Sequence, residues 1–267
     1  MNKFLLSLAL CLVLLPSVFA KVIVVSDIDD TIKKANSANG GIGQAYHFLR
    51  KKVYLEMRDL FVELERSYED LGEEVEFYYV SAAPDVLFNQ QKWLAKHKFP
   101  QGYDRLRVPG DGNTYTYKTK VIGDILAKMS PSDTFYFFGD NSSKDAIVYS
   151  ELTEKMGLVN SYIFIRDVSS EATDWSSALP IHRLEGVNYF FSEAELVDHP
   201  TLFFISEELR EKIAKAYAER ELIPEYTYKT LVRRMKDSFN CSFFDFDCKV
   251  TAENEAAKMW NDYHSRF

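Results

Sequence analysis

Apolar runs and amphipathic segments alternate along most of the chain. Unbroken apolar runs, such as VIVV within VIVVSD (22–27) and FYFF within TFYFFGD (134–140), are typical of strands buried on both sides. Between them, VYLEMRDLFVELERSY (53–68) has apolar residues at a spacing of three or four, which predicts an amphipathic helix. The alternation predicts an α/β fold: a Rossmann-like parallel sheet with helices on both faces.

The same pattern continues to residue 167. Strands are predicted at 22–27, 75–83, 106–108, 134–140 and 161–167. Helices are predicted at 53–68, 85–97, 118–129 and 144–157. The connection between the first two strands is too short for an inserted lid domain, so we predict no large cap. The Gly-containing stretch 34–44 would form at most a small flap over the site.

The pattern changes beyond residue 180. A last strand is expected at 186–191, and helical spacing recurs at 207–221 and 227–237. We therefore divide the chain that follows the first twenty residues into a core domain at 21–185 and a C-terminal extension at 186–267. The extension is expected to be mostly helical and packed on the core.

The first twenty residues, MNKFLLSLALCLVLLPSVFA, have the pattern of a secretory signal peptide (1–20). One Lys precedes an apolar run that Pro16 interrupts, and small residues precede Lys21. The run is too short for a comfortable membrane span, although an uncleaved anchor is the alternative. We predict an exported protein, periplasmic or secreted, with no stable membrane span after cleavage.

Composition narrows the range of partners. The chain has 40 acidic and 32 basic residues, a net charge of −8. An acidic chain argues against nucleic acid as a partner and against electrostatic docking on anionic lipid. A phosphorylated substrate is compatible with this charge, because a local cation can invert the field.

Two cysteines, Cys241 and Cys248, lie outside the predicted signal peptide. In an exported chain, this close spacing predicts one local disulfide that would staple the C-terminal region. Two free thiols are the alternative.

Polar residues follow three of the predicted strands at the point where each ends. These segments are SDIDDT (26–31), SAAP (81–84) and GDNSSKD (139–145). Because the carboxyl ends of parallel strands form the ligand crevice of an open sheet, we expect the three segments to meet there.

The aspartates of these segments predict a metal site. Asp27 and Asp29 are two positions apart on an extended segment and point to the same side, whereas Asp30 faces the other way and is interpreted as structural. Asp140 adds a carboxylate from another strand. Such carboxylates repel one another unless a cation lies between them, and a hard divalent cation, most simply Mg²⁺, is the natural partner.

Other residues could hold an anion near that cation. The hydroxyl of Ser81 and nearby backbone N–H groups, including that of Ala82, can bind phosphate oxygens. Lys118 can neutralise a phosphoryl oxygen, and Lys120 is a rival that would face the other way on the same helix. Asp145 is either an acid favoured at the start of a helix or a support of the metal site.

Taken in order, four motifs resemble those of the haloacid dehalogenase superfamily of phosphohydrolases. They are DIDDT (27–31), YYVS (78–81), YKTK (117–120) and FFGDNSSKD (137–145). The resemblance implies that Asp27 is a nucleophile that forms an aspartyl-phosphate. It implies that Asp29 is the general acid and then the general base.

The same resemblance implies the remaining roles in the site. Mg²⁺ would be held by Asp27, the backbone carbonyl of Asp29 and Asp140. Ser81 and Lys118 would hold the phosphoryl group, and Thr31 would order the loop. The supporting residues would be Asn141 and Asp145.

A narrower likeness is to the fungal actin-patch phosphatidate phosphatase and its bacterial relatives. It rests on SDIDDTIK, EMRDLFVEL, FYYVSAAPDVL and GDNSSKDAIVY. Ala82 and Ala83 replace a more polar pair, and residues 141–144 depart from the usual Ser-Gly-Glu-Lys run. The likeness implies a Mg²⁺-dependent phosphomonoesterase from a bacterial source, with phosphatidate as one substrate. The alternatives are a general exported acid phosphatase acting on small phosphomonoesters and a protein that binds a phosphorylated ligand without turnover.

Overall fold

Six strands within the described residues form one parallel sheet. The structure is a computed structural model that describes residues 20–35, 52–84, 89–108, 110–142, 144–168, 184–190, 192–219, 241–242 and 245–264, and the single positions 232, 236 and 239. Nearly all of the predicted signal peptide, most of the flap at 34–44 and nearly all of the predicted helix at 227–237 lie outside these residues.

The positions of nearly all the strands agree with the sequence prediction. They are β1 (Val22–Ser26), β2 (Val75–Pro84), β3 (Gly102–Arg107), β4 (Thr134–Asp140), β5 (Asn160–Arg166) and β6 (Val187–Phe190). The helices of the described part are α1 (Leu55–Asp70), α2 (Gln90–Lys96), α3 (Thr114–Leu126), α4 (Asp145–Met156), α5 (Glu193–Leu196), α6 (Glu207–Glu219) and α7 (Phe246–His264).

The spatial order of the strands is β3-β2-β1-β4-β5-β6, so the chain builds outward from β1 first on one side and then on the other. Val22 pairs in register with both Val75 and Thr134. The strand order reverses at β1, so the connections that follow β1 and β4 leave in opposite directions. At such a point a crevice opens outside the carboxyl ends of the central strands. The residues that follow β1 and β4 therefore reach the same crevice.

Alternate residues of β1 contribute to two separate cores, which explains why the whole strand is apolar. Val22 and Val24 pack with side chains of α1, α2, α5 and α6. Ile23 and Val25 face the other side and pack with side chains of α3 and α4. The predicted parallel sheet with helices on both faces is confirmed.

Two elements begin earlier than the sequence predicted. Helix α3 begins at Thr114 rather than at 118, because the side chain of Asn113 accepts a hydrogen bond from the backbone N–H of Thr116 at 2.9 Å and caps the helix. Strand β3 begins at Gly102 rather than at 106. A Cβ at Gly102 would lie 2.5 Å from the carbonyl oxygen of Phe77, so glycine permits this close approach of β2 and β3.

The C-terminal segment continues the sheet and then adds helices. Strand β6 pairs with β5, which confirms a last strand near 186–191, and α6 agrees with the helix predicted at 207–221. Cys241 and Cys248 form a disulfide with Cα atoms 5.5 Å apart, as predicted. Helix α7 was not predicted. Across the described ranges, no helix combines the length and the apolar character needed to cross a membrane.

Candidate active site

Asp27 lies directly after β1, at the carboxyl edge of the sheet. Its backbone N–H donates to the carbonyl oxygen of Phe138 at 2.8 Å and so extends the pairing of β1 with β4 by one residue. Its buried side chain has Lys118 Nζ at 2.7 Å from Oδ1. Thr31 Oγ1 donates to Oδ2 at 3.4 Å. The structure therefore brings Asp27, Lys118 and Thr31 together, and the roles that the resemblance implies for them stay predictions.

Lys118 lies on α3 with its ammonium group buried between two carboxylates. It forms ion pairs with Asp27 and with Asp145. Lys120, two positions further along the helix, is exposed. Of the two lysines that the sequence left open, Lys118 is the one buried against these carboxylates; its role in the site stays a prediction.

Three buried carboxylates meet at the carboxyl edge of the sheet, where the strand order reverses at β1. Asp27, Asp140 and Asp145 each present an oxygen, and these oxygens lie within 4.8 Å of one another. Asp145 begins α4, and its Oδ2 accepts a hydrogen bond from the backbone N–H of Asp140 at 3.3 Å. Asp145 is thus a member of the cluster as well as an acid at the start of a helix.

Burial and neighbouring charges shift the pKa values of Asp27, Asp140 and Lys118. Burial raises the pKa of Asp27 to about 7; Lys118 opposes the shift, and Asp145 and Asp29 add to it. Burial, followed by repulsion from Asp145 and Asp27, also raises the pKa of Asp140 well above its ordinary value. Burial works against the charge of Lys118, but attraction to Asp145, Asp27 and Asp140 raises its pKa above the usual range.

The donor set of the triad fits a hard divalent cation. Its ligand atoms are carboxylate oxygens, which Mg²⁺ and Ca²⁺ prefer. When all three carboxyl groups are ionised, their negative charge exceeds what the ammonium of Lys118 can neutralise, and an added cation would offset the remaining repulsion. Two predicted metal ligands, Asp27 and Asp140, belong to this triad.

The carboxylate of Asp29 pairs with other groups and does not join the triad. Ser81 Oγ donates to Asp29 Oδ2 at 3.0 Å, and Lys33 Nζ lies 2.8 Å from Asp29 Oδ1. Ser81 Oγ in turn accepts a hydrogen bond from the backbone N–H of Ala83 at 3.0 Å. Ser81 therefore lies beside Asp29, with half-buried Ala82 next to it. The phosphate-binding role of both residues stays a prediction. The metal contact proposed for the backbone carbonyl of Asp29 stays a prediction.

Asp30 and Asn141, two other residues singled out in the sequence, form hydrogen bonds that hold the backbone near the site. Asp30 adopts a positive φ of 60°, which Asp tolerates better than most residues, and its Oδ1 accepts a hydrogen bond from the backbone N–H of Ala35 at 2.7 Å. Asn141 donates to Asp167 Oδ1 at 2.7 Å and accepts from the backbone N–H of Val168 at 2.9 Å. Asn141 thus links the ends of β4 and β5, which agrees with a supporting role.

Sequence reasoning missed two residues that shape the site. Lys33 is fully buried against Asp29, and its place within the SDIDDTIK run was the available signal. A Cβ at Gly139 would lie 2.6 Å from the Cβ of Asp145 and 3.0 Å from Cε2 of Tyr149. A glycine immediately before Asp140 is the sequence signal of that close approach.

A family model described as phosphatidate phosphatase APP1, catalytic domain, matches residues 22–167. The matched region holds Asp27, Ser81, Lys118, Asp140 and Asp145. No curated protein matches the chain, and no solved structure does either.

Proposed function

The chain belongs to the family of the phosphatidate phosphatase APP1 catalytic domain, and on this basis we propose that it is a phosphatase that removes the phosphate of phosphatidate. The observation that carries the proposal is the buried contact of Lys118 with Asp27 and Asp145, beside Asp140. This arrangement can hold an ionised nucleophile next to a phosphoryl group. It also supports membership of the haloacid dehalogenase superfamily, whose motifs the chain resembles.

In the proposed first step, a carboxylate oxygen of Asp27 attacks phosphorus and the bond from phosphorus to the ester oxygen breaks. Lys118 lies 2.7 Å from Asp27 Oδ1 and can contact a phosphoryl oxygen entering beside it. Asp27, Asp140 and the backbone carbonyl of Asp29 would hold Mg²⁺, with Asp145 in support. When bound, this ion would supply positive charge that reduces repulsion between the nucleophile and the phosphoryl oxygens.

Asp29 handles the protons in this proposal. Its protonated carboxyl group gives a proton to the leaving ester oxygen, which departs as an alcohol. The carboxylate then takes a proton from water as that water attacks phosphorus. The bond to Asp27 breaks, inorganic phosphate leaves and Asp27 returns to its starting state. Because Ser81 now donates to Asp29, a phosphoryl oxygen that replaces Asp29 as acceptor would release Asp29 for these transfers.

Small phosphomonoesters are a second candidate substrate class. The reason is a departure of the sequence from the family pattern in two motifs, at Ala82–Ala83 and at residues 141–144. The chemistry would be the same, and the difference would lie in the group attached to the phosphate. A role in binding without turnover is less well supported, because Asp27, Asp29 and Lys118 are all present and buried together.

We also propose that the protein is exported after cleavage of residues 1–20, to the periplasm or the outside of a bacterial cell. The disulfide between Cys241 and Cys248 supports an oxidising compartment.

The test is an assay of the purified chain on micellar phosphatidate and on soluble phosphomonoesters, with Mg²⁺ and with chelator. Phosphate release that requires Mg²⁺ and is lost in Asp27→Asn is expected. Lys118→Met should lower kcat by about 10²–10³-fold, whereas its matched control Lys120→Met should retain activity, because Lys120 is exposed. Release only from soluble esters would favour the second substrate class. A folded, Mg²⁺-loaded protein that hydrolyses nothing in the panel would contradict the proposed function.

A further inference from the structure

Arg166, at the end of β5, connects the loop after β1 to the C-terminal segment. The residue is buried, and its Nη2 donates to the backbone carbonyl oxygen of Thr31 at 3.2 Å. The same Nη2 lies 2.5 Å from Oε1 of Glu193, at the start of α5. One guanidinium group thus contacts both the loop that carries Asp27 and a helix more than 160 residues further along the chain.

Two aromatic rings hold the guanidinium group in place. Its central carbon lies 3.8 Å from the ring centroid of Tyr54 and 4.9 Å from that of Phe190. A planar guanidinium group can lie against aromatic faces while its N–H groups donate along its edge. The ammonium of a lysine has a different shape and cannot reproduce this set of contacts.

The carbonyl group that Arg166 contacts belongs to a residue facing the proposed nucleophile. The hydroxyl of Thr31 donates to Asp27 Oδ2 at 3.4 Å. The loop beyond it is tightly turned, because the backbone N–H groups of Ile32 and Lys33 both donate to the carbonyl oxygen of Ile28. A displacement of the Thr31 carbonyl would therefore change the position of Asp27, which lies in the same short loop.

Glu193 lies outside residues 22–167, which the family model matches. Its position follows from the last strand: the backbone N–H of Asp167 donates to the carbonyl oxygen of Phe190 at 2.7 Å, which continues the pairing of β5 with β6. At the start of α5, the backbone N–H of Ser192 donates to Glu195 Oε1 at 3.2 Å. Strand β6 and the start of α5 thus bring a buried carboxylate to Arg166.

We propose that Arg166 and Glu193 are positioning residues for the phosphatase reaction, and that β6 and the start of α5 are thereby part of the support of the active site. Glu193 holds the guanidinium group of Arg166, and Arg166 holds the carbonyl of Thr31 so that the loop keeps Asp27 in line for attack. The inference rests on the proposed function for its kinetic consequence, but the effect on the loop itself does not depend on turnover.

The experiment compares Glu193→Gln and Arg166→Lys with a control that removes a different contact between the sheet and the C-terminal extension. The control is Tyr136→Phe. The hydroxyl of Tyr136 donates to the carbonyl oxygen of Thr201 at 3.1 Å and shares a hydrogen bond with Tyr68 at 2.8 Å. Tyr136 pairs with Val24 in the middle of the sheet, away from the carboxyl edge. Tyr136→Phe therefore shows how a general loss of stability affects kcat and hydrogen exchange.

Two measurements are made on each folded variant: kcat and KM on phosphatidate, and hydrogen exchange of the backbone amides at 28–33. We expect Glu193→Gln and Arg166→Lys to lower kcat about tenfold or more with KM changed little, because misplacement of a reacting group costs mainly in the chemical step. Exchange at Ile32 and Lys33 should become faster in both variants. Tyr136→Phe should change neither property.

Unchanged exchange at 28–33 in a folded Arg166→Lys or Glu193→Gln protein would overturn the inference, as would an equal loss of kcat in Tyr136→Phe. If Glu193→Gln does not fold, Arg166→Lys decides the question by the same criteria. An inactive wild type would count against the proposed function instead, and the exchange comparison would still decide whether Arg166 positions the loop.

Discussion

Gly139 and Asp145 approach each other so closely that a Cβ on residue 139 would lie 2.6 Å from the Cβ of Asp145. This contact places the start of α4 directly against the end of β4. Asp145 then reaches Lys118, and Lys118 reaches Asp27. The absence of a side chain at one position thus helps to set the geometry of the whole triad.

Gly139→Ala should lower kcat about 10²-fold, because Asp145 and Lys118 must shift away from Asp27. Overpacking should also cost about 1–3 kcal/mol of the free energy of unfolding. Kinetics and thermal unfolding would measure both effects. The matched control is Gly123→Ala in α3, where an added Cβ would meet Leu152 Cδ2 at 3.6 Å, an ordinary contact. Gly123→Ala should retain activity, and comparable losses in the two variants would contradict the explanation.

Asp27→Asn should stabilise the metal-free protein in a pH-dependent way. Burial raises the pKa of Asp27 to about 7 in the folded chain, whereas an unfolded Asp titrates near 3.9. Between these values the folded chain holds a proton that the unfolded chain has lost, so the contribution of Asp27 to stability falls as pH rises from about 4 to about 7. Asn has no ionisable carboxyl group, so Asp27→Asn removes this fall in stability with pH.

Thermal unfolding in chelator checks this prediction. The Tm of Asp27→Asn should exceed that of the wild type at pH 8 and differ little from it at pH 4. Asp124→Asn, at an exposed position, should give the same Tm difference at both pH values. A gain in Tm for Asp27→Asn that is independent of pH would show that relief of the buried charge is not its cause.

Lys33→Met should impair turnover without touching the triad. Lys33 Nζ lies 2.8 Å from Asp29 Oδ1, and both groups are buried. Without this contact the carboxylate of Asp29 loses one of the partners that orient it, and we expect kcat to fall about 10–100-fold. Lys52→Met, at an exposed position nearby in the chain, is the control and should behave as wild type. Full activity in a folded Lys33→Met protein would remove Lys33 from the site.

Export would create a new ion pair at the start of β1. The backbone nitrogen of Lys21 donates to Asp133 Oδ1 at 3.0 Å. If cleavage leaves Lys21 as the first residue, that nitrogen becomes an ammonium group, and the hydrogen bond becomes charge-assisted. Asp133→Asn should then lower the Tm by about 2–6 °C more in a chain that begins at Lys21 than in one with a Gly-Ser extension. Intact mass of the exported protein would identify its first residue, and equal effects in the two chains would exclude the pair.

Much of the architecture is encoded in local patterns. Residues 22–25 and 135–138 are apolar at every position because both faces of each strand are covered, and this can be seen in the sequence alone. The position of Asp27, Ser81 and Asp140 at or near the carboxyl ends of strands follows from the same pattern, and these ends share one edge of a parallel sheet. The start of α3 was harder to predict from the sequence, because a single cap at Asn113 overrides the weak helical propensity of the Thr and Tyr residues that follow.

The remaining features depend on contacts between residues far apart in the chain. Spacing alone indicated that Lys118 and Lys120 face different ways, but the packing of α3 on the sheet was needed to show which one is buried. The pairs Gly139–Asp145 and Arg166–Glu193 likewise arise where one element packs against another. Periodicity along a chain reports which face of an element is buried. The partner that a buried charge meets is set by the three-dimensional packing that brings the two elements together.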